Sequence, residues 1–386
     1  MTQMDQHSTP ATRDQTDALG MTRRNCIRSM GAGAAALGGL SVSGSVTAQE
    51  TSGRMVFVYD DGYVEDYTQT FTIHQQLEVP ACAAVPSSVI GRNEKFLTQD
   101  QLTEMADAGW EVMSHAVAHD ALGAVDLVEP AQPDDTRLYV DSTVHGRTPH
   151  MAEIYQGNTR VTRKITGNGQ DDTGGYLTID SEVGKSFPAG QTRVRFTKDV
   201  VDRVLRKSKA QLEEMGHDVS NFVYPYGRYD DRAKSLVKEH YNAVANAFPG
   251  GYNATIGIDP YELHREYFHT NTMTEQDISN YMDEVASRDT LGLFGGHSRN
   301  PDLPGERIQT AIEMAQERNL EIVTLQEALE HFDIYESTPT ATSTPTPTPS
   351  GRQGQTTPTA TPTPNSNDGG GIPILDGFLD WLASLF

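Results

Sequence analysis

Cysteine is nearly missing from this 386-residue chain, which holds only Cys26 and Cys82. A disulfide framework is therefore excluded, and a buried core must supply the stability. Long apolar runs are missing too: no stretch of about 20 apolar residues occurs that could cross a bilayer. Basic residues are few, 30 against 53 acidic ones, for a net charge of −23. Such a charge repels phosphate backbones, which excludes a protein that works by binding nucleic acid. Lysine is scarcer still, at 8 against 22 Arg. An acidic, Lys-poor surface suits concentrated salt, where self-repulsion is screened within a few ångström, and a halophilic source is expected. The plain alternative is an ordinary acidic secreted protein. The length allows about two domains of roughly 150 residues.

Both ends have compositions of their own. Arg23-Arg24 precedes an uncharged Gly/Ala/Ser-rich stretch from Ser29 to Val46, closed by Val46-Thr47-Ala48. This pattern reads as a twin-arginine export signal over residues 1–48, cut near Ala48, and predicts a secreted or cell-surface location. Cys26 leaves with it, and Cys82 alone forms no internal disulfide. Residues 337–371 are Thr/Pro-rich, with repeats such as Thr344-Pro345-Thr346-Pro347, and read as a semi-rigid linker. In 372–386, Leu375, Phe378, Leu379, Leu382 and Leu385 recur at helical spacing opposite Asp376 and Asp380. This amphipathic segment is too short to span a membrane but suits attachment to a membrane or cell surface, or docking to a partner.

Between the ends, apolar runs alternate with helical patterns. Met55 to Tyr59 and Ala81 to Val85 read as buried strands, and Thr98 with Gln101 reads as a capping box that opens a helix ending at Gly109. Strand Glu111 to Met113 follows, and this βαβα rhythm predicts an α/β fold, a parallel sheet or barrel wrapped by helices. From 125 to 196 the rhythm breaks into period-two segments, such as Arg160 to Ile165 and Tyr176 to Ile179, and predicts a β-rich insertion. Helical and strand patterns then resume, with Asn221 to Tyr224 and Leu291 to Phe294 as strands.

Four strand ends carry candidate chemistry. Asp60 and Asp61 close the first strand, and adjacent carboxylates there need a cation; a turn or helix-cap role is the simpler alternative for either one. His115 and His119, four apart, would face one side of a helical turn, a spacing that suits two nitrogen ligands of one metal. His297 follows Leu291 to Gly296, where β/α folds assemble active sites. Tyr224-Pro225-Tyr226-Gly227 offers a rigid turn whose N–H groups could face an oxyanion. Asn253-Ala254-Thr255 matches the acceptor pattern for N-linked glycosylation.

Taken together these segments resemble a known family. Tyr59-Asp60-Asp61-Gly62 resembles its TFDDG motif, Ser114 to His119 its HSxxH-type motif, and Phe222-Val223-Tyr224-Pro225-Tyr226-Gly227 the FAYPYG variant of its third motif. The family is that of the polysaccharide deacetylases, carbohydrate esterase family four. The resemblance covers the segments 54–124 and 197–332, which would form the catalytic domain, and implies a distorted (β/α)7-type barrel interrupted by the β-rich insertion. It implies a divalent metal, usually zinc, on Asp61, His115 and His119, with Asp60 as general base for the attacking water. His297 would protonate the leaving amine, and the backbone N–H of Tyr226 would help hold the oxyanion. Many members place an Arg where this chain has Val223. Arg265 is the candidate replacement, with a plain salt bridge or a surface position as the alternative. The implied substrate is N-acetylated amino sugar in a polysaccharide or glycan. Hydrolysis of another amide or an O-acetyl ester, and glycan binding without catalysis, are the competing readings.

Overall fold

The computed structural model describes residues 53–334. The segments 1–48, 337–371 and 372–386, and Cys26 with them, lie outside the described residues. Arg54–Asp60 forms β1, buried at every position. A strand with no solvent face needs neighbours at both edges and cover on both faces. On one edge β1 pairs with β2 (Cys82–Val85) and, nearer its start, with β15 (Glu321–Ile322); on the other it pairs with β14 (Leu291–Gly296), all in parallel. The sheet extends past β2 through β3 (Glu111–Ser114), β10 (Asn221–Phe222) and β11 (Ala243–Val244). Past β14 it continues through β13 (His264–Tyr267) to β12 (Phe248–Pro249). These nine parallel strands form a curled, incomplete barrel, the α/β fold that the sequence rhythm predicts.

Helices return the chain between strands. The first is a π-helical stretch, Asp66–Phe71, that runs into α1 (Thr72–Gln76). The next, α2 (Gln99–Asp107), starts at Thr98 with the expected capping box: the Thr98 hydroxyl accepts from the Gln101 N–H, and the Gln101 side chain accepts from the Thr98 N–H. Then come α3 (Lys198–Glu214), α4 (Asp231–His240), α5 (Glu275–Arg288), α6 (Gly305–Glu317) and α7 (Leu325–His331). In α3 the buried residues Val200, Val201, Val204, Leu205, Ser208 and Leu212 mark one face, and that face lies on the sheet side. A core of Val56, Val58, Ala84, Met113, Leu291 and Leu293 closes against Leu325, Ala328 and Leu329 of α7.

Residues 125–196 form a second, six-stranded sheet. Its order is β4 (Val125–Asp126), β9 (Arg193–Phe196), β6 (Met151–Gln156), β7 (Thr159–Asp171), β8 (Gly174–Ile179) and β5 (Arg137–Tyr139). The pairing is antiparallel throughout, with a register shift between Ile165 and Gly167. Sequence patterning misses β6, whose Met151 and Ala152 do not alternate cleanly. It also misses the two-residue strands β11 and β12, which are too short to show a period. Asn253 is buried, and its side-chain amide donates to the carbonyls of His264 (3.0 Å) and Leu291 (3.2 Å). That side chain is committed inside the fold, which removes the glycosylation reading.

Gly295 of β14 lies beneath a side chain from the neighbouring strand. A Cβ there would sit 2.6 Å from Nε and 2.8 Å from Cζ of Arg265. Arg265 is fully buried and cannot swing away. Gly295→Ala is therefore expected to destabilise the fold by about 1–3 kcal/mol, read as a lower denaturation midpoint at unchanged m-value; an unchanged midpoint would show that Arg265 is free to move.

Candidate active site

Parallel strands deliver all of their C-terminal ends to one edge, and the chemistry-bearing residues collect there. β1 ends in Asp60, and Asp61 takes a left-handed backbone (φ 83°) while its N–H donates to the Ala84 carbonyl at 3.0 Å. Such a conformation is costly for a non-glycine residue and is held where the surroundings fix it. Next along, β3 leads to His115, whose N–H donates to the Val85 carbonyl.

The expected helical turn between His115 and His119 does not form. Ala116 and His119 are both left-handed (φ 63° and 58°), so a tight irregular turn brings the rings together, with centroids 4.6 Å apart. Asp120 secures that turn: buried, it accepts from the Ala118 N–H at 3.0 Å and meets His150 Nε2 at 3.2 Å. Asp61 Oδ1 lies 3.6 Å from His115 Nε2 and 3.2 Å from His119 Nε2. One donor atom from each of the three lies within 4.8 Å of the others. Nδ1 of His115 stands 2.8 Å from the Val223 carbonyl, which can only accept, so that nitrogen carries a proton and Nε2 is the ring nitrogen turned toward Asp61. Burial is the largest influence on Asp61 and opposes its charge, yet His119, His115 and His297 hold its carboxyl well below the usual range. Burial also lowers His119, to about 3, against the pull of Asp61. A carboxylate with two imidazoles is a donor set that fits a divalent cation with open positions left over.

Asp60 is held separately. Arg265 of β13 reaches past β14 and donates from Nη1 to Asp60 Oδ1 at 3.0 Å and from Nη2 to Oδ2 at 2.7 Å. Both residues are at most 2% exposed. The open question over Arg265 is thus resolved in favour of a buried bidentate pair, the strongest geometry available to a carboxylate. Burial alone would raise the Asp60 carboxyl, but Arg265, with His115 and His297 adding to it, holds it below its ordinary value. Nη2 of Arg265 also donates to the Tyr267 hydroxyl at 2.8 Å, and the Tyr267 ring stacks on His297 with centroids 5.5 Å apart and planes 12° apart. The His297 N–H donates to Nε2 of His269 at 3.1 Å. His269, lowered to about 3 by burial first and by His297 second, is a neutral acceptor there.

The third motif closes the site. Tyr226 is left-handed (φ 60°, ψ 11°) in the turn Pro225–Gly227, and its ring meets His119 at 4.2 Å. Asn246 clamps the entry to this turn, accepting from the Tyr224 N–H (2.8 Å) and donating to the Tyr224 carbonyl (2.9 Å). Burial, the first influence, pushes the Tyr226 phenol up to about 12. All seven residues singled out from the sequence, Asp60, Asp61, His115, His119, Tyr226, Arg265 and His297, thus reach one edge of one sheet. Sequence reasoning misses Tyr267, His269 and Asn246. The only signal for the first two is the density of polar aromatics in His264-Arg265-Glu266-Tyr267-Phe268-His269.

The family model described as polysaccharide deacetylase matches residues 48–174, the stretch that holds Asp60, Asp61, His115 and His119. That match bears out the family resemblance read from the motifs over these residues, while the third-motif variant lies beyond them. Solved structures with a similar chain course include a carbohydrate esterase family 4 pseudoenzyme from Bacillus anthracis, 11% identical with a TM-score of 0.40, the match covering 72% of this chain and 66% of that one. A family 4 carbohydrate esterase from Streptomyces lividans in complex with acetate is 10% identical with a TM-score of 0.39, over 71% of this chain and 93% of that one. A family 4 acetyl xylan esterase from Clostridium thermocellum with a cobalt ion is 13% identical with a TM-score of 0.39, over 72% and 90%. No curated protein matches the chain.

The depressed Asp60 carboxyl ties stability to pH. A folded value below the unfolded one, near 3.8, means that the contribution is complete above that value and is lost as pH falls through the folded one. Unfolding midpoints of the wild type are expected to drop more steeply between pH 5 and pH 2 than those of Asp60→Asn, which lacks the titrating group. Parallel pH profiles would refute the ion pair as a source of acid sensitivity.

Proposed function

We propose that the chain is a secreted, metal-dependent deacetylase that hydrolyses N-acetyl groups of amino sugars in a polysaccharide or surface glycan. One observation carries this reading: a carboxylate locked by a buried arginine and a histidine on a neighbouring strand stand beside an Asp-His-His donor set at one sheet edge. A divalent cation on Asp61, His115 and His119, for which zinc suits the donors, would supply Lewis acidity for the acetyl carbonyl and the attacking water.

The chain's own residues account for the proton movements. Asp60 accepts the proton of the attacking water; Arg265 keeps it ionised at neutral pH and fixes both oxygens, so the lone pair that takes the proton is already oriented. Water oxygen adds to the acetyl carbon, and the charge that gathers on the carbonyl oxygen is met by the backbone N–H of Tyr226. The carbon–nitrogen bond then breaks, and His297 gives the departing nitrogen its proton, leaving acetate and a free amino sugar. Tyr267 and His269 set the plane of the His297 ring and the position of its backbone. The export pattern around Arg23-Arg24 supports a secreted or cell-surface location, and the apolar stripe in 372–386 supports attachment there.

The full-length protein, loaded with zinc at molar salt, is expected to release acetate from N-acetylated oligosaccharides. Asp60→Asn is expected to lower kcat about a hundredfold or more, the size of a lost general base. Chelation should abolish release, and added zinc should restore it. Stoichiometric zinc binding without acetate release from any N-acetylated oligosaccharide, neutral or charged, would overturn the deacetylase reading.

A further inference from the structure

The two histidines of the donor set are held in different ways. The ring of His115 is fixed through Nδ1, which meets the Val223 carbonyl just past β10 at 2.8 Å. For His119 the constraint lies in the backbone: its φ is 58°, and that of Ala116 in the same turn is 63°. Non-glycine residues keep such conformations only where their surroundings over-determine them. The hold comes from the next residue. Asp120 Oδ2 accepts from the Ala118 N–H at 3.0 Å and so closes the turn across His119. The Asp120 side chain is buried, and a buried carboxylate is tenable only when its remaining lone pairs are met. The groups that meet them come from the segment of the second sheet. A carboxylate only accepts, so Nε2 of His150 donates to Asp120 Oδ1, at 3.2 Å, and the Thr148 side chain hydrogen-bonds to the same carboxylate.

His150 is itself located by that sheet. It directly precedes β6, its carbonyl accepts from the Ile165 N–H of β7 at 2.8 Å, and its ring packs edge-on against Phe196 at the end of β9, with centroids 5.1 Å and planes 87° apart. Phe196 is fully buried, so the ring of His150 rests on a fixed surface. We infer that His150 is a positioning residue for the donor set: through Asp120 it holds the turn that aims His119 at Asp61, so the second sheet sets the affinity of the site for a divalent cation. The inference rests on the metal-site part of the proposed function and is independent of the substrate. The barrel supplies every donor, yet the backbone of one donor is tied to the inserted segment. Without His150, Asp120 would keep a buried lone pair unmet, and the turn would have to shift or admit water to relieve it. Either change loosens His119. Separate ion pairs join the segment to the barrel, Arg195 with Asp230 and Glu153 with Arg232, so the sheet stays docked when His150 is replaced.

The test uses the full-length protein stripped of metal and reads its zinc affinity by competition with a chromophoric chelator, with circular dichroism to confirm that each variant is folded. His150→Ala is expected to bind zinc about 10- to 100-fold more weakly than the wild type, the size of a lost hydrogen bond behind a metal ligand. His150→Gln, which returns an N–H donor, should recover most of that affinity. Arg137→Gln breaks an exposed ion pair with Asp171 in the same sheet and should bind zinc as the wild type does. Unchanged affinity in His150→Ala overturns the inference. So does a loss that His150→Gln fails to recover, because the volume of the ring and not its hydrogen bond would then be responsible, and so does an equal loss in Arg137→Gln, which would mark a general effect of disturbing the sheet. Should His150→Ala not fold, His150→Phe takes its place: it keeps a ring against Phe196 and removes the donor, and the same outcomes decide. A wild type that binds no zinc overturns the inference together with the metal site. A wild type that binds zinc and releases no acetate ends the deacetylase reading alone and leaves the role of His150 to be decided by affinity.

Discussion

A buried carboxylate beside a second buried carboxylate is an unstable arrangement, and the bidentate grip of Arg265 on Asp60 makes it tenable. Burying either partner alone would cost several kcal/mol. Together they leave Asp61 to face the two imidazoles while Asp60 is held apart from them. The grip spans β14, so a strand must pass beneath the arginine without a side chain in the way, and Gly295 provides that gap. Nη2 of Arg265 also donates to Tyr267, whose ring lies flat on His297. One cation therefore orients the residue proposed as base directly and the residue proposed as acid through one intermediate ring.

The backbone shows where the fold accepts strain. Asp61, Ala116, His119 and Tyr226 are non-glycine residues in left-handed conformation, and all four belong to the loops around the donor set. Others of this kind, such as Asp289 after α5 and Asn319 after α6, end helices, where left-handed residues commonly close the last turn. At the site the same conformation turns a strand end sharply enough to aim a side chain inward. Asp120, Asn246 and the Ala84 carbonyl supply the hydrogen bonds that hold those turns.

How legible each part was in the sequence follows from how local its cause is. The first strand shows itself over 55–59 because a parallel strand buried on both faces is apolar along its middle, and α2 shows itself through the cap at Thr98, three residues from its partner. The spacing of His115 and His119 correctly brings the two rings together, but the turn that does so depends on the Val85 and Val223 carbonyls on neighbouring strands, so an ordinary helical turn is the natural misreading. β13 is obscure because it gives Arg265 and Tyr267 to the site and so loses the alternation that marks a strand. Whether Arg265 pairs with Asp60 is undetermined by a sequence separation of 205 residues and becomes plain once β1, β14 and β13 lie side by side.

The ends of that second sheet are themselves paired: Val125 of β4 sits opposite Val194 of β9, so the segment leaves the barrel and returns at adjacent points. For the barrel, the excursion amounts to a short closed link, and the entropy of joining β3 to α3 depends little on how much chain lies between. This junction makes the segment a replaceable cassette. Exchanging it would alter what surrounds the candidate site while leaving the barrel's own strands in their order, provided that a partner for the buried Asp120, which meets His150 of this segment, is kept.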